Sequence, residues 1–341
     1  MTDLQELLPG ATESDGLVQA ARAEDADAFA RSVARGLSDD PKWLDCRYLY
    51  DDEGSRLFVE ITEQPEYYPT RTEASILARH ARRVRELTGP VTLVELGSGY
   101  SAKTQHLLEA YATGGAPQRY VAIDVSDGAL AEARASIAER FAHVEFGGVH
   151  GTYADALLLF PQLSPQMVVF LGSSIGNLNP TEAAAFWSDV ARSLPVGDFF
   201  LLGVDLVKDR AVLEAAYADA AGVTARFTRN YFVRMNRELG TEIDLDAVQH
   251  VATWNPTLER IEIRARFTRD QEIGLPSLGR SFHLRAGETV LTEISRKYRI
   301  PKITADLAWH GLRTVRVFTD PNEWFALLLL QNDGPREDRR E

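Results

Sequence analysis

Between residues 92 and 204 the apolar positions fall into two alternating rhythms. Short apolar runs at Thr92–Leu96, Tyr120–Val125, Val144–Phe146, Met167–Gly172 and Phe199–Val204 predict strands. The stretches Lys103–Ala112, Gly128–Phe141 and Glu182–Leu194 have helical spacing. Strand and helix in alternation predict an α/β fold built on a doubly wound parallel sheet. Upstream, Thr70-x-x-Glu73 has the form of a capping box, with Pro69 before it and an apolar stripe of Ile76, Leu77, Ala81, Val84 and Leu87 after it. Residues 1–40, acidic and alanine-rich with helical spacing at Leu17, Ala20, Ala21, Phe29 and Val33, predict a peripheral helix.

The rhythm changes after Asp205. A helix near Val212–Ala221 and strand-like alternation at Arg260–Phe267 and Ser281–Leu284 predict an inserted, smaller α+β lobe. A helix at Ile303–His310 and strands at Arg313–Thr319 and Phe325–Leu330 then return the chain to the first sheet. Two lobes imply a cleft.

Composition narrows the partners. The chain has 341 residues, 45% hydrophobic and 26% charged, which suits a packed globular protein. Fifty acids against 37 basic residues leave a net charge of −13 and no basic patch, which argues against nucleic acid. Cys46 is the single cysteine, so neither an intrachain disulfide nor a multi-thiolate metal site is available. The first residues lack the basic start and apolar run of a signal peptide. The apolar run Trp324 to Leu330 falls far short of the roughly 20 residues that span a bilayer. A cytoplasmic monomer with no membrane contact is expected, with a frayed tail at 333–341.

The candidate chemistry starts at Glu95-Leu96-Gly97-Ser98-Gly99, at the end of the first sheet strand, where glycines let the backbone pass beneath a bound nucleoside. Asp124 ends the next strand, where a carboxylate can accept hydrogen bonds from both ribose hydroxyls. Gly97-x-Gly99-x-x-Ala102 also satisfies the relaxed dinucleotide fingerprint, which keeps an NAD(P)-dependent oxidoreductase open. Glu95, two residues before the first glycine, makes a Glu-x-Gly-x-Gly string that resembles the first motif of class I S-adenosylmethionine methyltransferases.

Three further strings are more specific: Tyr67-Tyr68-Pro69-Thr70-Arg71-Thr72-Glu73-Ala74, Gly172-Ser173-Ser174-Ile175-Gly176-Asn177-Leu178 and Leu291-Thr292-Glu293-Ile294-Ser295. With the segments Tyr48–Phe58, Gly203–Asp209 and Asp219–Asn230, they resemble the histidine Nα-methyltransferases of ergothioneine biosynthesis over roughly residues 45–330. The resemblance implies a class I, Rossmann-like methyltransferase domain over 73–207 plus 298–332, and a substrate-binding lobe over 1–72 plus 208–297. It implies Nα-methylation of free L-histidine, three times, to the betaine hercynine. S-adenosylmethionine would be the methyl donor, the free amino acid the small-molecule substrate, and no metal would be needed.

The same resemblance places Gly97, Lys103 and Asp124 at the cofactor, with Glu95 as a further candidate. It places Asn177 and Tyr217 at the substrate carboxylate, Tyr67 at the amine and Glu293 with Ser295 at the imidazole, with Tyr50 and Phe58 as further pocket candidates. These residue types suit those tasks, since an amide and a phenol donate to a carboxylate, and a carboxylate accepts an imidazole N–H. If Glu293 and Ser295 lie in a strand, their two-residue spacing sets them on one face. One departure from the family pattern concerns the adenine: Thr152-Tyr153 stands where an Asp-Phe pair is usual. Another free amino acid such as tryptophan remains an alternative substrate, and a non-catalytic amino-acid-binding protein an alternative of a different class.

Overall fold

In the computed structural model, which describes residues 4–8, 10–14, 16–20, 26–112 and 117–334, the apolar runs build a nine-stranded sheet. The chain start supplies a short helix α1 (Leu4–Leu7) and strands β1 (Thr12–Ser14) and β2 (Leu17–Gln19). Helices α2 (Ala26–Ser38), α3 (Asp52–Glu63) and α4 (Tyr68–Thr88) follow. Next come β3 (Thr92–Leu96), α5 (Gln105–Tyr111), β4 (Gln118–Asp124), α6 (Asp127–Arg140) and β5 (Val144–His150). The alternation continues with α7 (Tyr153–Leu163), β6 (Gln166–Phe170), α8 (Pro180–Ser193) and β7 (Phe199–Asp205). The insertion holds α9 (Arg210–Ala216), α10 (Val223–Leu239), β8 (Val248–Asn255) and β9 (Arg260–Phe267). It ends with β10 (Gln271–Leu275), β11 (Arg280–Leu284) and β12 (Thr289–Arg296). Helix α11 (Ile300–Trp309) and strands β13 (Leu312–Thr319) and β14 (Phe325–Asn332) close the chain. Two compact units result, one from the described residues of Met1–Ala21, Pro69–Val207 and Lys297–Glu341, the other from those of Arg22–Tyr68 and Lys208–Arg296.

The sheet of the first unit runs β1-β2-β5-β4-β3-β6-β7-β14-β13. From β2 to β7 every neighbour is parallel, as expected, but β14 is antiparallel to β7 and β13 antiparallel to β14. The sheet is therefore mixed rather than wholly parallel. Its last two strands form a hairpin, because Asp320 accepts hydrogen bonds from the amides of Asn322, Trp324 and Phe325 at 2.8–2.9 Å and turns the chain tightly. Lying between β7 and β13, β14 is shielded on both edges, and its run from Phe325 to Leu330 is wholly buried.

The beginning of the chain departs from the expected peripheral helix. Leu17 lies in β2 and pairs in register with Gly148 of β5, and the amide of Ala20 donates to the His150 carbonyl at 3.0 Å. A three-residue strand takes its structure from its partner, and local helical spacing does not report that partner. Phe29 and Val33 do lie on a helix, α2, while Ala21 falls outside the described residues. Up to residue 20 the chain thus belongs with the sheet unit, not with the second lobe. Helix α4 starts at Tyr68, so Thr70 already lies within its first turn and makes no capping box with Glu73, whose side chain turns inward.

In the second unit β12, β9 and β8 form an antiparallel sheet, and β10 and β11 a hairpin. Helix α10 buries Phe227, Tyr231, Phe232 and Met235 on one face, and Phe232 meets Phe267 of β9 edge-on at 5.7 Å. The helix expected over Val212–Ala221 is two helices. Asp219 accepts from the amides of Val223 and Thr224 at 2.7 Å, and Gly222 takes a left-handed conformation, so α9 ends and α10 starts there. Of the expected tail, Asp333 accepts from Arg313 at 2.7 Å and the Gly334 amide donates to Asn332 at 3.0 Å, so these two residues are tied down. Residues 335–341 lie outside those described.

Candidate active site

The glycine turn follows β3 within the first unit. Gly97 and Gly99 have φ of 63° and 50°, backbone that glycine adopts without strain. The amides of Gly97 and Ser98 donate to the Ile123 carbonyl at 2.8 and 3.2 Å, which ties the turn to the end of β4. Asp124 follows directly. One of its oxygens accepts the Gly99 amide at 2.7 Å and the other the Ser126 amide at 3.0 Å. Burial pushes the Asp124 carboxyl up from its ordinary value, and the amides of Gly99, Ser126 and Val125 pull it back down.

Glu95 lies beneath this turn and not on its open side. It is buried, and its carboxyl accepts from Thr104 Oγ1 at 2.6 Å and from the Tyr120 hydroxyl. Burial pushes that carboxyl up to about 7 against the pull of those two bonds. The Tyr120 hydroxyl, pushed well above its usual value by burial and by Glu95, also shares a 2.7 Å bond with Ser101 Oγ. A string that looked like a ligand motif thus contains a buried anchor for the ligand turn.

Tyr153 meets the turn from another side: a Cβ on Gly97 would stand 3.3 Å from its hydroxyl. Its ring packs edge-on against Phe170 at 5.1 Å. Thr152, its neighbour in the predicted adenine pair, spends its hydroxyl and its amide on Asp155 at 2.7 and 2.8 Å, capping α7. A Cβ on Gly99 would meet nothing within 4 Å. Turn, aspartate and tyrosine thus suit a nucleoside, with open space at Gly99 and an acceptor at Asp124.

At the C-terminal end of β6, Gly172 (φ 75°) and Ser173 (φ 57°) turn the chain into a single 3-10 turn, Ser174–Asn177. This turn is held from below. Ser173 Oγ accepts the Asp205 amide at 3.0 Å, and the Tyr298 hydroxyl donates to the Ile175 carbonyl at 3.1 Å. Asp205 in turn forms a fully buried ion pair with Lys297 at 2.8 Å. Asn177 is thereby fixed at the carboxyl edge of the sheet, where open α/β sheets bind ligands. Lys103, in the turn before α5, pairs with the buried carboxylate of Glu73, which also accepts the Gly172 amide at 2.9 Å.

Other predicted residues gather in the second unit. Tyr50, Phe58, Tyr67 and Tyr217 form a chain of edge-on rings with centroid separations of 5.7, 6.2 and 6.0 Å. Phe227 closes on Tyr50 at 5.5 Å, a member that residue type alone did not mark. The Tyr217 hydroxyl and Ser295 Oγ share a 2.8 Å bond. His250, also missed from sequence, holds the Tyr217 carbonyl at 2.7 Å and Thr228 Oγ1 at 2.9 Å through its two ring nitrogens. Burial pushes its pKa down, towards the neutral ring. Glu293 and Ser295 both lie in β12, opposite Ile263 and Ile261 of β9, so they share the expected face. A bulge between Leu291 and Glu293 shifts the register directly before them. Among the described residues, no three His, Cys, Asp or Glu side chains gather as metal ligands, and no helix is long and apolar enough to cross a membrane.

The order β5-β4-β3-β6-β7-β14-β13 with β14 reversed, the glycine turn after β3 and the acid after β4 define a class I S-adenosylmethionine methyltransferase. A family model described as histidine-specific, S-adenosylmethionine-dependent methyltransferases matches residues 29–332, and the chain belongs to that family. The nicotinamide and non-catalytic alternatives fall with that finding. The histidine N-alpha-methyltransferase of Mycolicibacterium smegmatis is 45% identical over 304 residues, 89% of this chain and 95% of that protein. The protein of the same name from Mycobacterium tuberculosis is 43% identical over 302 residues, 89% of this chain and 94% of its own. Ergothioneine biosynthesis protein 1 of Neurospora crassa is 35% identical over 207 residues, 59% of this chain and 24% of that protein.

Proposed function

We propose that the protein methylates the α-amino nitrogen of free L-histidine in ergothioneine biosynthesis, three times in succession, to give hercynine. The observation that carries this reading is the polar set of the second unit: Tyr217 and Ser295 joined at 2.8 Å, with Glu293 on the same strand face as Ser295. Glu293 accepts one imidazole N–H and Ser295 serves the other ring nitrogen, while Tyr217 and Asn177 donate to the substrate carboxylate.

S-adenosylmethionine, when bound, supplies a methyl group on a sulfonium, a leaving group good enough that no Lewis acid is required. Gly97 and Gly99 would underlie its nucleoside, Asp124 would accept from its ribose hydroxyls, and Tyr153 and Lys103 would complete its contacts. Thr152 acts through the cap on α7 that sets Tyr153, and Glu95 through the bonds that hold the turn. The chain's main task is alignment of the two reactants.

The histidine nitrogen needs its lone pair, so it must lose a proton to water before each transfer, and Tyr67 orients it. With each methyl group the product becomes a better cation for ring faces. The buried ring of Tyr67 and the half-buried rings of Phe58 and Tyr50 suit a trimethylammonium group by cation–π attraction. A monomer in the cytoplasm, without a metal, fits this reading.

Mass spectrometry of products after incubation with S-adenosylmethionine and a panel of free amino acids, tryptophan included, tests the proposal. Hercynine as the dominant product is expected. Methylation of another amino acid in preference to histidine would overturn the assignment.

A further inference from the structure

Glu73 belongs to a conspicuous sequence string, yet neither capping nor any role derived so far accounts for its burial. Its side chain is 0% exposed, and a buried carboxylate is costly unless its oxygens are bonded and its charge matched. Both requirements are met. Its two oxygens lie 2.9 Å from the Gly172 amide, and one of them accepts from Lys103 Nζ. The room comes from Gly203 within β7, where a Cβ would stand 2.0 Å from the Glu73 carboxylate. Helix α4, the turn after β3, the turn after β6 and the middle of β7 therefore converge on one carboxylate.

The two members of the ion pair differ in a telling way. Lys103 keeps 22% of its side-chain surface, while Glu73 keeps none. An ammonium has three N–H donors, and one directed at Glu73 leaves two for a ligand. A free lysine at this place would lose the entropy of its four-carbon stem on binding, and the buried carboxylate has already removed that freedom.

We propose that Glu73 is a positioning residue for the methyl donor, holding the Lys103 ammonium where it meets the amino-acid carboxylate of S-adenosylmethionine. The inference rests on the reading of Lys103 as a cofactor contact. Glu73 itself touches no reactant. The Gly172 amide fixes its carboxylate on one side and Gly203 leaves space on the other, so the charge facing Lys103 has one orientation.

Calorimetry with two nucleosides tests this on the intact protein: S-adenosylhomocysteine, which carries the amino-acid end, and 5′-methylthioadenosine, which lacks it. Glu73→Gln is expected to weaken S-adenosylhomocysteine on the order of 10-fold, as is Lys103→Met, and to leave 5′-methylthioadenosine unchanged. The double variant is expected to bind no worse than Lys103→Met alone. If Lys103→Met keeps wild-type affinity, the reading of Lys103 fails and the proposal with it. If Lys103→Met weakens binding but Glu73→Gln does not, or weakens both nucleosides equally, or adds fully to Lys103→Met, the proposal alone fails. Should Glu73→Gln not melt cooperatively, Gly203→Ala displaces the carboxylate without removing its charge. Loss of S-adenosylhomocysteine affinity alone supports the proposal there, and loss of both or neither overturns it.

Discussion

The hydroxyl of Tyr217 lies 2.8 Å from Oγ of Ser295, joining the end of α9 to strand β12 across 78 residues of sequence. Both side chains are buried, and the proposed function gives them opposite ends of the same small substrate. Two hydroxyls bonded to each other form one unit of the pocket, so removing either changes what the other can offer.

Tyr217→Phe is expected to raise the KM for histidine on the order of 10-fold, the cost of one hydrogen bond to a charged group. Ser295→Ala combined with it is expected to cost less than the two separate effects added, with a coupling of about 1 kcal/mol. Steady-state kinetics of the two variants and the double variant measure this. Strict additivity would mean that the 2.8 Å bond has no bearing on the substrate.

Asp124 has two roles that can be separated. Its carboxylate organises the amides of Gly99 and Ser126, and it is the proposed ribose acceptor. Asp124→Ala is expected to weaken S-adenosylmethionine on the order of 10–100-fold and to lower the melting temperature. Asp124→Asn, which keeps one carbonyl acceptor, is expected to recover much of the melting temperature and little of the affinity. Affinity recovered in full would remove the charge from the argument.

Glu95 makes stability depend on pH in an unusual direction for an acid. Raised from 4.5 to about 7 in the folded protein, its carboxyl holds a proton that the unfolded chain has already released. Its contribution is full below about pH 4.5 and is lost as pH rises through about 7. Glu95→Gln imitates the protonated form, so between pH 5 and pH 8 the wild type is expected to lose stability relative to the variant, by a few kcal/mol to order of magnitude. Thermal melts of both proteins across that range decide it, and a constant offset would contradict the shift.

How far the sequence carried the fold depended on where each element's signal lay. Strands β3 and β9 matched residue for residue, because β3 is a short apolar run ending at a glycine turn and β9 alternates apolar with polar residues. Helix α7 went unread: its run Ala154-Asp155-Ala156-Leu157-Leu158-Leu159-Phe160 is apolar nearly all round, which hides the helical period, and Pro161 lies within it. Strand β2 is defined by its pairing with β1 on one edge and β5 on the other, which local spacing does not report. At the proposed site, the residue pattern itself pointed to Asp124, and the family resemblance to Tyr217 and Glu293. The partnerships were not readable, since Lys103 with Glu73, or Tyr217 with Ser295, depend on contacts that a linear pattern does not encode.

Glu293 provides the sharpest test of substrate choice. It lies in β12 just past the bulge at Leu291/Glu293, two residues before Ser295 and on the same face, and the proposed function sets it against the imidazole. A carboxylate that orients a ring N–H discriminates between substrates, because an apolar side chain brings no donor to it. Glu293→Ala removes a charge-assisted bond of roughly 1.5–3 kcal/mol, so kcat/KM for histidine is expected to fall on the order of 10–100-fold. Affinity for S-adenosylmethionine is expected to hold, since no cofactor contact is assigned to β12. The advantage of histidine over tryptophan is expected to shrink, because the variant no longer penalises a ring with a different donor pattern. Competition kinetics of wild type and variant on a mixture of the two amino acids, with products resolved by mass, measure both effects at once. An undiminished preference for histidine would remove Glu293 from recognition and leave specificity to Asn177, Tyr217 and the aromatic chain from Tyr50 to Tyr67.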